Sequence, residues 1–151
     1  MHPLFIGFLS GAVSGIVMGL LSDNLFRLKI FRSSLLVVDG SFFFRTLKLR
    51  GSPQLVYGAG FFIHLITSGV FGALYIVLAI LLGLETAMVT SLTAVSAYVA
   101  VLWLSMLFVA LPIAGVGLMG RKSGTLTWFE QLILHIIFLF VYYGCLRALL
   151  A

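Results

Sequence analysis

Apolar residues divide the chain into four long hydrophobic segments separated by three more polar ones. They run almost unbroken over about residues 3–21, 56–82, 87–111 and 128–150. A helix needs about 20 apolar residues to cross a hydrocarbon core of about 30 Å. The pattern therefore predicts an all-α fold, an integral membrane four-helix bundle that forms a single transmembrane domain over residues 1–151.

The first hydrophobic segment carries a stripe of small residues, because glycine recurs there at every fourth position. Residues four apart lie on one helix face, so these glycines form a shallow groove. In a membrane, such a groove lets a second helix backbone approach closely. The second segment has a comparable face. The residues predicted to serve helix packing are Gly7, Gly11, Gly15, Gly19, Gly60, Ser68 and Gly72.

The connection between the first two segments, residues 25–54, mixes basic with apolar and aromatic residues. This mixture is typical of the headgroup boundary, where apolar side chains enter the membrane and Lys or Arg side chains extend outward. Asp39-Gly40, between two apolar runs, indicates a turn, either a small hairpin or a re-entrant corner. We expect a basic interfacial loop that contacts anionic lipid or a partner subunit through Arg27, Lys29, Arg32, Arg45, Lys48 and Arg50.

Composition agrees with the membrane interpretation, since 62% of the residues are hydrophobic and 9% are charged. Soluble domains carry about 25% charged residues. The net charge of +5 would suggest nucleic acid in a soluble protein. Here the basic residues lie between apolar spans, so anionic lipid headgroups explain them better. The expected partners are membrane lipids and other membrane subunits or further copies of the chain, with no nucleic acid.

The basic residues also predict a topology. The first connection holds six of them and the third holds Arg121 and Lys122, whereas the second connection holds none. Lys and Arg accumulate in cytoplasmic loops. We therefore expect the first and third connections in the cytoplasm and both termini outside.

Sequence motifs for catalysis or metal binding are not evident. Gly115, Gly117 and Gly120 spell G-x-G-x-x-G, but they follow a membrane segment and a proline rather than a strand, so we interpret them as a flexible turn. Cys145 is ten residues from the nearest histidine, which does not suit a zinc site. No carboxylate can be placed at the membrane midplane. The expectation is a protein that is not an enzyme, with no catalytic residue, no metal and no cofactor.

Two histidines have the strongest claim to a site. His64 and His135 each lie inside an apolar segment, about 12 Å from its start at 1.5 Å per residue. Their helices should run in the same direction, so both imidazoles are expected at one depth in a shared internal chamber. An ionisable side chain inside a membrane suggests a function. Three interpretations stay open: axial ligation of haem b, hydrogen bonds between helices, and a proton or ligand path.

Parts of the chain resemble a known family. The stretch from His64 to Tyr75 looks like the second-helix signature of the YagU-type family of small bacterial inner-membrane proteins. Leu111-Pro112, the glycine-rich turn and the later Trp128, Glu130 and His135 look like that family's closing segment. The resemblance implies a four-helix, multi-pass protein of the bacterial inner membrane and supplies no established reaction.

Three function classes follow. The first is a non-catalytic membrane subunit that packs into a larger complex through its glycine groove, and this is the main expectation. The second is an electron-transfer subunit that binds haem b or a quinone with His64 and His135. The third is a small transporter or channel.

Overall fold

The structure, a computed structural model, describes residues 1–150 and contains only helices and connections over that range. The elements are α1 (Pro3–Arg27), α2 (Leu35–Thr46), α3 (Pro53–Leu81), α4 (Thr86–Val89), α5 (Leu92–Ser105), a π-helical turn (Met106–Ala110), α6 (Leu111–Ile113), a 3-10 turn (Leu118–Gly120) and α7 (Thr127–Leu150).

Within residues 1–150, four helical stretches are long and apolar enough to cross a membrane, which confirms the predicted number of spans and the all-helical class. They cover Pro3–Arg27, Pro53–Leu81, Leu92–Ile113 and Thr127–Leu150, with mean hydropathies of 2.0 to 2.2. The first is longer than expected. It continues past residue 21, so Asp23 lies inside α1, where its carboxylate pairs with Arg27 one turn later at 2.6 Å.

Helix α1 lies against both α3 and α7, and its glycine groove faces α3. Gly7 is opposite Gly72, whereas Gly19 lies against His64, so α1 and α3 are antiparallel. A Cβ atom built on Gly11 would come 2.9 Å from the Gly72 Cα atom. Because real Cβ atoms do not approach a backbone so closely, glycine is needed on both helices here.

The connection between α1 and α3 contains a third packed element, the twelve-residue helix α2. The expected turn at Asp39-Gly40 is wrong, because both residues lie inside this helix. Gly40 and Gly60 are backbone neighbours: a Cβ on Gly60 would come 2.9 Å from the Gly40 amide nitrogen. Since Leu36 lies against Gly60 and Phe44 lies near Gly51, α2 begins at the depth of Gly60 and runs outward beside α3.

The third span is not a regular helix. It starts at Leu92 rather than near residue 87, and its end is expected before Pro112 but lies at Ile113. Five residues of π-helix, Met106–Ala110, come directly before Leu111-Pro112. Proline cannot donate a backbone hydrogen bond, and π-helical turns often occur at functional sites. The π-helical turn therefore marks the half of this span to inspect for a site.

Tyrosines join α3, α5 and α7 at the end of the molecule away from the basic connections. The hydroxyl of Tyr142 donates to the Gly72 carbonyl at 2.7 Å, and that of Tyr98 donates to the Phe71 carbonyl at 2.5 Å. The Tyr75 ring lies 5.0 Å from that of Tyr98 and 5.9 Å from that of Tyr142, measured between centroids. These contacts join the first half of the third span to α3 and α7.

The first and third connections meet at one end of the molecule, here called the basic end (residues 28–52 and 114–126). Arg45 donates to the Ala114 carbonyl at 2.5 Å, and the backbone N–H of Arg32 donates to the Glu130 carboxylate at 3.2 Å. The predicted glycine-rich turn is present, because Gly115, Gly117 and Gly120 all have positive φ. A common position for these two connections agrees with an even number of spans between them.

Candidate intramembrane binding site

A cavity of about 420 Å³ lies between α2, α3, the third span and α7, and it is the candidate site. Both His64 and His135 line it. Tyr142 lies seven residues after His135 on α7, and Gly72 lies eight residues after His64 on α3. Because Tyr142 and Gly72 are in contact, the two histidines are at matched depth. The cavity volume falls in the usual range of about 300–1,000 Å³ for small-molecule sites.

His64 is paired with a carboxylate that the sequence pattern did not reveal. Its Nδ1 atom lies 3.0 Å from Asp39 Oδ2, and both residues line the cavity. A carboxylate therefore lies beside His64, although the expectation was that none could be placed at the membrane midplane. His64 lies eleven residues into α3, roughly 16 Å from its start at 1.5 Å per residue. Helix α2 carries Asp39 to this depth because its first turns pack against Gly60.

A sequence signal for Asp39 does exist, although it is easily read as a turn. Leu35, Leu36, Asp39 and Gly40 recur with helical spacing, which places them on neighbouring positions of one α2 face. Leu35, Leu36 and Gly40 are buried, and the side chain of Asp39 is 25% exposed. The small Gly40 allows that face to approach α3. The helical spacing of these residues, rather than the Asp-Gly pair, therefore indicates the structure of this segment.

His135 and Gln131 form the second polar group of the cavity. The Nδ1 atom of His135 lies 2.8 Å from the backbone carbonyl of Gln131, one turn earlier on α7. A carbonyl only accepts, so Nδ1 carries the proton and Nε2 of a neutral ring is an acceptor. The Gln131 Oε1 atom is buried and has no hydrogen-bond partner in residues 1–150. The site therefore contains a hydrogen-bond acceptor that no donor within residues 1–150 satisfies.

Most of the other residues that line the cavity are apolar, and the cavity is more open on one side. Aromatic side chains come from three helices: Phe42, Phe71 and Phe138. Among the lining residues, Phe71 is 43% exposed and Val109 in the π-helical turn is 54% exposed. Since these exposed residues belong to α3 and to the third span, the mouth lies between those two elements, on the surface that faces lipid in a membrane.

The arrangement around His64 bears on the haem alternative. One ring nitrogen is paired with Asp39, and the other, Nε2, is buried and unpartnered in residues 1–150. Nε2 lies against α1, where a Cβ on Gly19 would come 3.7 Å from it. Axial ligation would need this nitrogen to face the cavity, so haem b stays a prediction. No group of three or more His, Cys, Asp or Glu residues that could hold a metal ion occurs within residues 1–150.

The other predicted site residues fall into two groups. Three of them, Gly60, Ser68 and Gly72, are buried on α3 opposite α1 or α2. The glycines of the groove on α1 are buried as well. The six basic residues predicted to contact lipid or a partner are all exposed at the basic end or at the end of α1. Lipid contact by these side chains stays a prediction, although Arg45 and the backbone of Arg32 also connect the two loops.

Comparison with models of protein families, with curated proteins and with solved structures finds no match to this chain. The resemblance to the YagU-type family therefore stays a prediction.

Proposed function

We propose that this chain is a non-catalytic, multi-pass membrane protein that binds a small amphipathic molecule in its cavity. The observation that carries the proposal is the cavity itself, where Asp39, His64, Gln131 and His135 converge at membrane depth among apolar walls. Binding sites for small molecules have this character: mostly apolar surface with a few polar groups that fix orientation. Ionisable side chains inside a membrane are costly, and they usually mark a functional site.

The position of the cavity mouth suggests how such a ligand arrives. An amphipathic molecule in the bilayer diffuses within one leaflet, and the mouth between α3 and the π-helical turn opens sideways to that leaflet. The polar groups of α2 and α7 then take the head of the ligand, while the apolar chain stays at the mouth. This is the ligand-path interpretation of the histidines, and it also accommodates a quinone-type molecule.

The other function classes have less support. Packing against a partner subunit through the glycine groove conflicts with the position of α3, which covers Gly7, Gly11 and Gly15 in the same chain. Electron transfer through haem b needs a ring nitrogen of His64 that faces the cavity, whereas Nε2 lies against α1. A transporter needs a second opening on the opposite side, where the tyrosine contacts hold α3, α5 and α7 together.

For localisation, we propose the inner membrane of a bacterium with the basic end in the cytoplasm. The support is the bias of Lys and Arg toward the first and third connections, together with the contacts that bring those connections to one end.

A substitution that fills the cavity tests the proposed function. Ala110 lines the cavity and Ala100 lies exposed on the same span away from it. Ala110→Trp should displace the bound molecule, whereas Ala100→Trp should not. The measurement is mass spectrometry of the lipid-soluble molecules that co-purify with each variant and with the unaltered chain. Equal retention by both variants would contradict the proposal, and a Soret band in the purified protein would support the haem alternative instead.

A further inference from the structure

Three side chains that line the cavity offer hydrogen-bond acceptors, which restricts the chemistry of a ligand. Asp39 offers a carboxylate, Gln131 offers a buried and unpartnered Oε1, and neutral His135 offers Nε2. The Thr67 hydroxyl already donates to the Ile63 carbonyl at 2.8 Å, so its oxygen has only lone pairs left. None of the cavity-lining residues is Lys or Arg. Ser68, Ser105 and the Gln131 amide group can donate, but a ligand that pairs with Asp39 and His135 must supply its own donors.

The charge balance of the site points in the same direction. Within residues 1–150, the only ion-pair partner of Asp39 is His64, and its Nδ1 contacts only Oδ2 of the carboxylate. The second carboxylate oxygen, Oδ1, has no ion-pair partner in the described part of the chain. A carboxylate oxygen without a partner among apolar walls is costly, and a ligand cation at this oxygen would offset that cost. Carboxylate or phosphate head groups would be repelled.

The aromatic lining also suits a cation. Phe42, Phe71 and Phe138 come from α2, α3 and α7, so three helices contribute an aromatic side chain to the lining. Ring faces attract ammonium groups, by about 0.5–1 kcal/mol at exposed sites and more where water is excluded. Apolar lining residues on the third span, such as Leu102, Met106 and Val109, remain for a hydrocarbon chain that extends toward the mouth.

We infer that the cavity binds a hydrophobic amine in its protonated form, with the ammonium group donating to Asp39, Gln131 and His135. This inference rests on the proposed function, and it adds the class of ligand: a single-chain or aromatic amphiphile with a cationic, hydrogen-bond-donating head. An alcohol of the same chain length satisfies one acceptor and leaves the charge of Asp39 uncompensated. A fatty acid brings a second negative charge.

Three probes with the same twelve-carbon chain separate these possibilities: dodecylamine, dodecanol and dodecanoate. Native mass spectrometry of the full chain measures how much of each probe binds, at matched concentrations and at a pH where the amine is protonated. The amine should bind about tenfold or more tightly than the alcohol, as expected for one hydrogen bond to a charged group, and dodecanoate should bind weakest.

Asp39→Asn and Asp23→Asn provide the matched pair of variants. Both remove one carboxylate, but Asp23 pairs with Arg27 and does not line the cavity. Asp39→Asn should lose the preference for the amine and keep the binding of dodecanol, whereas Asp23→Asn should bind like the unaltered chain. If Asp39→Asn fails to fold, the ranking of the three head groups on the unaltered chain decides by itself.

The outcomes distinguish this inference from the proposed function. If all three probes bind equally, or the alcohol or acid binds best, the inference is overturned and the proposed function stands. If none of the probes binds and no molecule co-purifies, both fail. A preference for the amine that survives in Asp39→Asn would also overturn the inference, because the charge of Asp39 would not be its cause.

Discussion

Gly72 lies at a close contact between the backbones of α1 and α3, and it has two structural roles. A Cβ atom on it would come 2.8 Å from the Gly11 Cα atom, and its carbonyl accepts the hydrogen bond of Tyr142. One residue thereby joins three helices. In a bilayer, packing of this kind replaces the hydrophobic effect as the source of helix association.

We expect Gly72→Ala to destabilise the protein, because a methyl group at this position forces α1 away from α3. Overpacking of a tight core costs typically about 1–3 kcal/mol. The matched control is Gly58→Ala on the same helix, since a Cβ there has nothing within 4 Å. Thermal unfolding in one detergent compares the two. Equal loss of stability would show that helix conformation, rather than the close contact, governs the effect.

At the scale of one element, α2 depends on a side chain from another helix. Its N-cap residue, Ser34, makes no side-chain capping bond. The backbone N–H of Leu35 donates instead to the Ser22 hydroxyl of α1 at 3.0 Å, and both residues are buried. The first turn of a helix has four N–H groups without helical partners, so α1 supplies part of the cap. The position of Asp39 beside His64 therefore depends on α1 as well as on α3.

Ser22→Ala should loosen α2 without unfolding the spans. Loss of a helix cap costs about 1 kcal/mol, which corresponds to roughly fivefold faster opening. Hydrogen–deuterium exchange of the α2 amides measures this opening. Ser41→Ala is the control, because Ser41 is exposed on the same helix. Unchanged exchange in Ser22→Ala would mean that contacts with Gly60 alone hold α2 in place.

At the scale of the whole molecule, the basic end predicts an orientation that chemical labelling can test. In a Cys145→Ser background, a membrane-impermeant maleimide should label Lys122→Cys only from the cytoplasmic side and Thr86→Cys only from the outside. Both positions are exposed, and they belong to connections at opposite ends of the spans. Labelling with the opposite sidedness would invert the proposed topology, since both basic connections would then lie outside.

The spans could be predicted from the sequence because each is a continuous apolar run, and burial in lipid requires little else. Helix α2 could not, because Asp39-Gly40 has the composition of a turn and contacts with α1 and α3 decide otherwise. Its helical spacing was visible, but the depth to which it reaches depends on the backbone approach of Gly40 to Gly60.

The candidate site was predicted in part. The two histidines follow from helix register, since both lie on apolar segments that run in the same direction. The partner of His64 is 25 residues away on an element outside the four spans. The contact between Arg32 and Glu130 joins residues 98 apart. Pairs of this kind arise from packing between elements, which local composition does not encode.

The packing of α1 against α7 has a consequence for biosynthesis. The ribosome finishes α1 about 100 residues before it begins α7, a delay of about 5–20 s at 5–20 residues per second. During that interval α3 emerges and covers the glycine groove, while the side of α1 that will meet α7 stays in contact with lipid. A nascent chain that stops before Thr127 would hold the α1–α3 pair together with one wall of the cavity missing.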